Sequence, residues 1–186
     1  WRFENPGAQT FNLPISAPAA RFDSDFNGSI SGPEEAALES PAFDASTAVN
    51  YLILSFDHTF YDASDFGGTG AVYYVEVWDG TSWVEVLMGD TDSEDPEHVT
   101  LDITTAANGN NAAKVRFRWT GDYGYWWIVD NIVVEDVSCF QPSNLAVDSI
   151  AANSIDISWS AGASETSWNV EYGPEGFTLG SGISGT

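Results

Sequence analysis

Residues 23–34 read DSDFNGSISGPE, and their types and spacing are those of a twelve-residue calcium loop. Asp23, Asp25 and Asn27 place oxygen ligands at alternate positions, and Gly28 allows the sharp turn. Ser29 offers its carbonyl, Ile30 anchors the loop to a core, and Glu34 closes the shell with two oxygens. A hard cation such as Ca²⁺ takes about six to eight oxygens, and one short segment supplies them here. The bland alternative is an Asp/Asn/Gly surface turn built from the same residues. A second chemistry is offered by Tyr123, Tyr125, Trp126 and Trp127, beside Gly121 and Gly124. Flat rings with polar groups at their edges can stack on sugars, and Tyr61, Phe66 and Trp83 extend the group. Such rings are more often sandwich core. Third, Lys114, Arg116 and Arg118 put three of the five basic residues on one strand face. They either grip an acidic polysaccharide or pair across strands with carboxylates such as Glu76 or Glu85.

Asp130 sits inside an apolar run, where a carboxylate needs a metal, an arginine or several N–H partners. Asp57 is a weaker candidate of that kind. Catalysis has little to stand on. His58 and His98 are the only histidines, and no nucleophile elbow, HExxH helix or phosphate loop occurs. The chain therefore reads as a non-enzyme.

The elements that must position these residues are strands. Residues 51–58, 71–78, 82–87, 98–103 and 113–119 are β-branched and aromatic runs of period two, separated by Gly, Asp, Asn and Ser clusters. Asp79-Gly80 is a hairpin turn between two of them. In residues 113–119, Val115, Phe117 and Trp119 face one way and the three basic residues the other. Residues 126–134 are apolar on both faces, as in a strand covered on both sides. Residues 34–38 (EEAAL) are the only helical signal, one turn at most. These short antiparallel strands predict an all-β fold, an antiparallel jelly-roll β-sandwich over residues 1–137. The flanks of the calcium loop carry no paired helices, which makes it a structural clamp and not a helical sensor. A linker follows at 138–143. Residues 144–186 then hold only about half the strands of an immunoglobulin-like sandwich, so the second domain reads as incomplete.

Composition bounds the partners. The chain has 186 residues with 28 acidic and 5 basic side chains, a formal net charge of −23. Such a surface repels nucleic acid and anionic membrane. No apolar stretch approaches the roughly 18–20 residues of a membrane span. Cys139 is the only cysteine, so no internal disulfide forms, and a calcium site can supply the cross-link instead. No signal peptide is visible, and Trp1 is not a natural start, so the chain reads as a mature or excised segment.

LESPAFD at 38–44, the strand ending Phe56-Asp57-His58, VEVWDGTSWVEV and YGYWWIVDNIVV resemble the cleaved-adhesin or choice-of-anchor J family. These are MAM-like, concanavalin-like jelly rolls of secreted Bacteroidetes surface proteins. PSNLAVDSIAANSIDISW and SWNVEYGPEGF resemble the first half of a fibronectin type III domain, with Trp159 as its inward tryptophan and Tyr172 at a core position. The resemblance implies a non-catalytic, calcium-stabilised module, secreted or on the cell surface, in some cases by type IX secretion. It also implies that Asp130 lies near the calcium together with Glu4, so that a site shared by Glu4, Asp25 and Asp130 stands beside the self-contained loop. The expected function is adhesion within a larger multidomain protein, through a glycan or protein ligand. A carbohydrate-binding module serving a polysaccharide-degrading enzyme and a structural spacer are the alternatives.

Overall fold

A computed structural model of the chain describes every residue except 6, 29–32, 49, 63–69, 123, 139–141, 163–165 and 186. The chain divides into two units, Trp1–Ser138 and Cys139–Thr186.

The first unit holds eight strands among its described residues: β1 (Ala20–Asp23), β2 (Glu34–Glu39), β3 (Tyr51–Tyr61), β4 (Ala71–Trp78), β5 (Trp83–Gly89), β6 (Glu97–Asp102), β7 (Lys114–Gly121) and β8 (Trp126–Val137). They form two antiparallel sheets, β1-β8-β3-β6 and β2-β7-β4-β5. The pairing of β1 with β8, β2 with β7, β3 with β6 and β4 with β5 is that of a jelly roll, as the strand spacing predicts. Alternation carries the fold: Val115, Phe117 and Trp119 of β7 are buried, while Lys114, Arg116 and Arg118 point out. They meet Phe56, Phe60, Trp127 and Val129 from the opposite sheet in one core with Tyr73, Val75 and Val77. Gly124 is required by this packing, because a Cβ there would lie 2.7 Å from Trp119 and 2.8 Å from Ala71.

β8 is covered on both faces only over Trp127–Val129; Ile132 and Val133, expected to be covered as well, are 40 % and 46 % exposed. Trp127 and Val129 enter the core, while Ile128 packs outward on Ile15 and Ala19 of the N-terminal segment. That segment straps the outer face of the first sheet, with Ser16 N–H on Asp130 and Asn12 on Asp95. Beneath it Arg21 is fully buried, its guanidinium 4.5 Å above the Phe11 ring. The β4–β5 turn is set by Asp79, which accepts N–H bonds from Ser82 and Thr81. Those bonds hold its carboxyl down at about 2, and Gly80 supplies the positive φ of 102°.

One expectation fails: residues 34–38 are not a helical turn but strand β2. Leu38 and Ala36 face Phe117 and Trp119 across the β2–β7 ladder, and burying them outweighs the helix propensity of EEAAL. The short helical turns α1 (Ser24–Asn27) and α2 (Thr104–Ala107) lie elsewhere.

Among its described residues the second unit holds two separate hairpin-like pairs, β9 (Ser143–Ile150) with β10 (Ile155–Ser160) and β11 (Val170–Tyr172) with β12 (Ile183–Gly185). Trp159 is half-buried against Trp168, with ring centroids 5.4 Å apart. Tyr172, expected in a core, is 57 % exposed, because no opposing sheet covers it among the described residues. Cys139 lies outside the described residues.

Candidate functional site

The outer face of β2-β7-β4-β5 gathers rings and charges from three neighbouring strands. β4 contributes Tyr74, Glu76 and Trp78, β5 contributes Trp83 and Glu85, and β7 contributes Lys114, Arg116 and Arg118. Alternation fixes this, since these residues interleave with the buried Tyr73, Val75, Val77, Val115 and Phe117. Glu76 is the hub. Arg116 Nε donates to its Oε2 at 2.7 Å, and Arg118 donates to both oxygens at 3.0 and 3.2 Å. Burial alone pushes the Glu76 carboxyl up, but the bonds from Arg118 and Arg116 outweigh it and hold it below the usual range. Each guanidinium lies over a ring, Arg116 at 4.2 Å from Trp83 and Arg118 at 4.0 Å from Tyr74. Trp78 and Trp83 face each other at 5.6 Å, opposite in register. The three rings are half-buried, so each keeps surface toward solvent. The basic face expected to pair with carboxylates does so: Glu76 takes both arginines, and Glu39 takes Lys114 at 3.3 Å. Sequence reasoning named Trp83 only as an outlier of another group and missed Tyr74 and Trp78. Strand parity around the basic residues was the signal that would have found them.

The aromatic group named as platform or core divides: Tyr61, Tyr125 and Trp126 come together half-buried on one side of the strand, and Trp127 is core. Trp127 is fully buried, between Tyr73 at 4.9 Å, Trp1 at 5.2 Å and Phe117 at 5.8 Å, and has no face for a ligand. Its neighbour Trp126 points to the other side of the same strand, half-buried against Tyr125 and Tyr61. Adjacent residues of a strand cannot share a face. Tyr123 and Phe66 lie outside the described residues.

The segment expected to bind calcium carries a buried carboxylate at each end, Asp23 and Glu34. Asp23 closes β1; its Oδ1 accepts the Phe26 N–H at 3.0 Å, while its Oδ2 is buried with no hydrogen-bond partner. Gly7 sits directly over that oxygen, where a Cβ would collide with it. Glu34, buried at the start of β2, accepts from Ser24 Oγ and from Asn27 Nδ2 at 3.4 Å. Asp25 and Asn27 are exposed on the helical turn, whereas Asp23 and Glu34 are buried. Ser29 and Ile30 lie outside the described residues. Among the described residues, no group of three or more His, Cys, Asp and Glu is close enough to hold a metal ion. The shared arrangement of Glu4, Asp25 and Asp130 is not formed either, since Asp130 Oδ2 accepts the Ser16 N–H at 3.0 Å and Glu4 is exposed. Asp130 thus anchors backbone of the strap.

Asp57 is likewise satisfied by protein, its oxygens taking His98 Nδ1 at 2.7 Å and Asn131 Nδ2 at 2.8 Å. His58 is buried in the core, with Trp127 Nε1–H donating to its Nδ1 at 3.2 Å. Both are structural groups.

Strand pairing and side-chain placement define an antiparallel jelly-roll sandwich with a ring-and-charge face on one sheet. No protein-family model matches the chain, and no curated protein matches it by sequence; the resemblance to choice-of-anchor J modules gains no support there. Three solved structures are similar to it in part. TmCBM61 in complex with β-1,4-galactotriose matches at 12 % identity and TM-score 0.37, over 56 % of this chain and 63 % of that one. CBM27-1 of Caldicellulosiruptor saccharolyticus, in complex with mannohexaose, matches at 16 % and 0.42, over 65 % and 78 %. CBM28, a carbohydrate-binding module specific for non-crystalline cellulose, matches at 13 % and 0.36, over 55 % and 66 %. The chain thus spans less than two thirds of the first of these. Identity and TM-score are low in all three, so the site rests on its own geometry.

Proposed function

We propose that residues 1–138 are a non-catalytic glycan-binding module whose ligand lies across the outer face of β4, β5 and β7. The observation that carries this is the set Tyr74, Trp78 and Trp83, half-exposed, with Tyr74 and Trp83 held by the Arg116–Glu76–Arg118 network and Trp78 packed on Trp83. Sugar recognition needs apolar ring surface beside fixed hydrogen-bonding groups, held in place before the ligand arrives. This face offers both. The reading replaces protein adhesion by glycan binding as the leading function. It leaves attachment to neighbouring domains and an extracellular setting as parts of the same proposal. Affinity electrophoresis in gels containing hydroxyethylcellulose, galactomannan or β-1,4-galactan tests it. Trp83→Ala is expected to weaken retention about 10-fold or more, the effect of removing a central aromatic anchor. Retention lost with Trp126→Ala and kept with Trp83→Ala would move the site to the other sheet and end this reading.

Calcium remains part of the proposal as a clamp on the strap. What supports it is the partnerless Asp23 Oδ2, buried in a cradle beneath Gly7 that any Cβ would fill, together with the buried Glu34. Asp23 and Glu34 would hold the ion, which would supply charge compensation and a cross-link between β1 and β2. Removal of calcium with EDTA is expected to lower the Tm by about 5 °C, and Asp23→Asn to abolish the difference. Identical melting curves with and without chelator would reject the clamp. Residues 144–186 fit the opening strands of a fibronectin type III domain: Leu145, Val147, Ile150 and Ile155 are exposed on β9 and β10 and need a second sheet to cover them.

A further inference from the structure

We infer that the ring-and-charge face selects neutral polysaccharides and rejects uronic-acid or otherwise carboxylated ones; this rests on the glycan reading above. Three cations on one strand face would ordinarily mark a site for anionic sugars. Here none of them is available as an unpaired charge. Arg116 through Nε and Arg118 through Nε and Nη2 donate to one buried carboxylate, Glu76, and the two guanidiniums lie over Trp83 and Tyr74. Lys114 is held by Glu39. Glu85 stands directly opposite Glu76 on β5, and Glu35 lies on β2 opposite Thr120, next to Arg118, both exposed. Three cations thus meet four carboxylates on this face, within a protein of formal net charge −23.

A carboxylated chain entering the face would approach exposed carboxylates and find its natural counter-charges already neutralised. Breaking the Glu76 network to free them would strand a buried carboxylate, which is costly. A neutral sugar meets none of these penalties. Its hydroxyls can bond the rim carboxylates as acceptors, and its ring faces can lie on the aromatic surface.

The test uses matched polymers at low salt: hydroxyethylcellulose against carboxymethylcellulose, with galactomannan and galactan against polygalacturonate and alginate. Retention is expected on at least one neutral polymer, and to be at least about 10-fold weaker on every anionic one, as like charges a few ångströms apart impose when unscreened. Glu76→Gln should release two guanidiniums and confer retention on polygalacturonate or carboxymethylcellulose that fades as salt is raised. Because Glu76 is buried, the exposed double substitution Glu35→Lys with Glu85→Lys provides the same reversal without touching the core. Wild-type protein held by an anionic polymer as tightly as by its neutral counterpart overturns the selectivity. So does a double variant that folds and still ignores anionic polymers. Retention on no polymer at all overturns instead the glycan reading on which it rests.

Discussion

Trp127→Ala is expected to cost about 3–5 kcal/mol, enough to unfold much of the first unit at 37 °C. The indole is fully buried at the middle of the sandwich, flanked by Trp1, Tyr73 and Phe117, and its N–H is spent on His58. Truncation leaves a large cavity between two sheets whose strand pairing prevents collapse. Urea denaturation followed by circular dichroism measures it. A loss under 1 kcal/mol would mean that Trp127 is not in the core. The same substitution is a poor probe of ligand binding, since lost retention would reflect lost structure; Trp83→Ala is the informative change.

The second large effect is a loss of stability on mild acidification. His58 is buried, and burial lowers its pKa from 6.5 to about 4, with the nearby Asp57 charge opposing only in part. The Trp127 N–H adds a geometric reason. It donates to Nδ1, so the single ring proton must sit on Nε2, 3.4 Å from Glu97 Oε2. A second proton on Nδ1 would point at another donor. Between about pH 6.5 and 4 the unfolded chain binds a proton at this residue that the folded chain refuses. Stability is therefore complete above pH 6.5, declines as the pH falls and is fully lost from this source near pH 4, a change of about 3 kcal/mol. The protein's many carboxylates titrate partly in the same range, so the difference between wild type and His58→Gln isolates the histidine. Glutamine can still accept from Trp127 but cannot titrate. A wild-type acid slope between pH 6.5 and 5 no steeper than that of His58→Gln would refute the assignment.

Much of the fold was legible because it depends on parity. In β7 the sequence KVRFRW separates core from surface residue by residue, and the structure places all six as read. The continuous apolar run of β8 announced cover on both faces, which the N-terminal segment provides at Ile128 but not at Ile132 and Val133, since the strap does not reach them. β1 escaped notice because ARFD is short and carries an arginine and an aspartate, which are buried only through the strap. The candidate site was harder for a physical reason. Clusters along a sequence such as YGYWW are split by a strand between its two faces. A binding face instead collects every second residue from strands that are distant in sequence. Tyr74 and Arg118 meet through a β4–β7 ladder whose partners are 44 positions apart. The register is shifted further by the bulge between Val75 and Glu76 on the β4–β5 side, which leaves no mark in composition.

The strand pairing also sets how the first unit would respond to tension. β1 runs antiparallel to β8 with Ala20 opposite Val129, so the chain enters β1 from the same end of the sandwich at which β8 departs. A pull exerted between Ala20 and Val137 would peel the β1–β8 ladder open one hydrogen-bonded pair after another instead of shearing all of its bonds together. Such a unit gives way at low force along its own chain. A hold on a surface ligand through the broad face of β4, β5 and β7 bypasses that seam altogether.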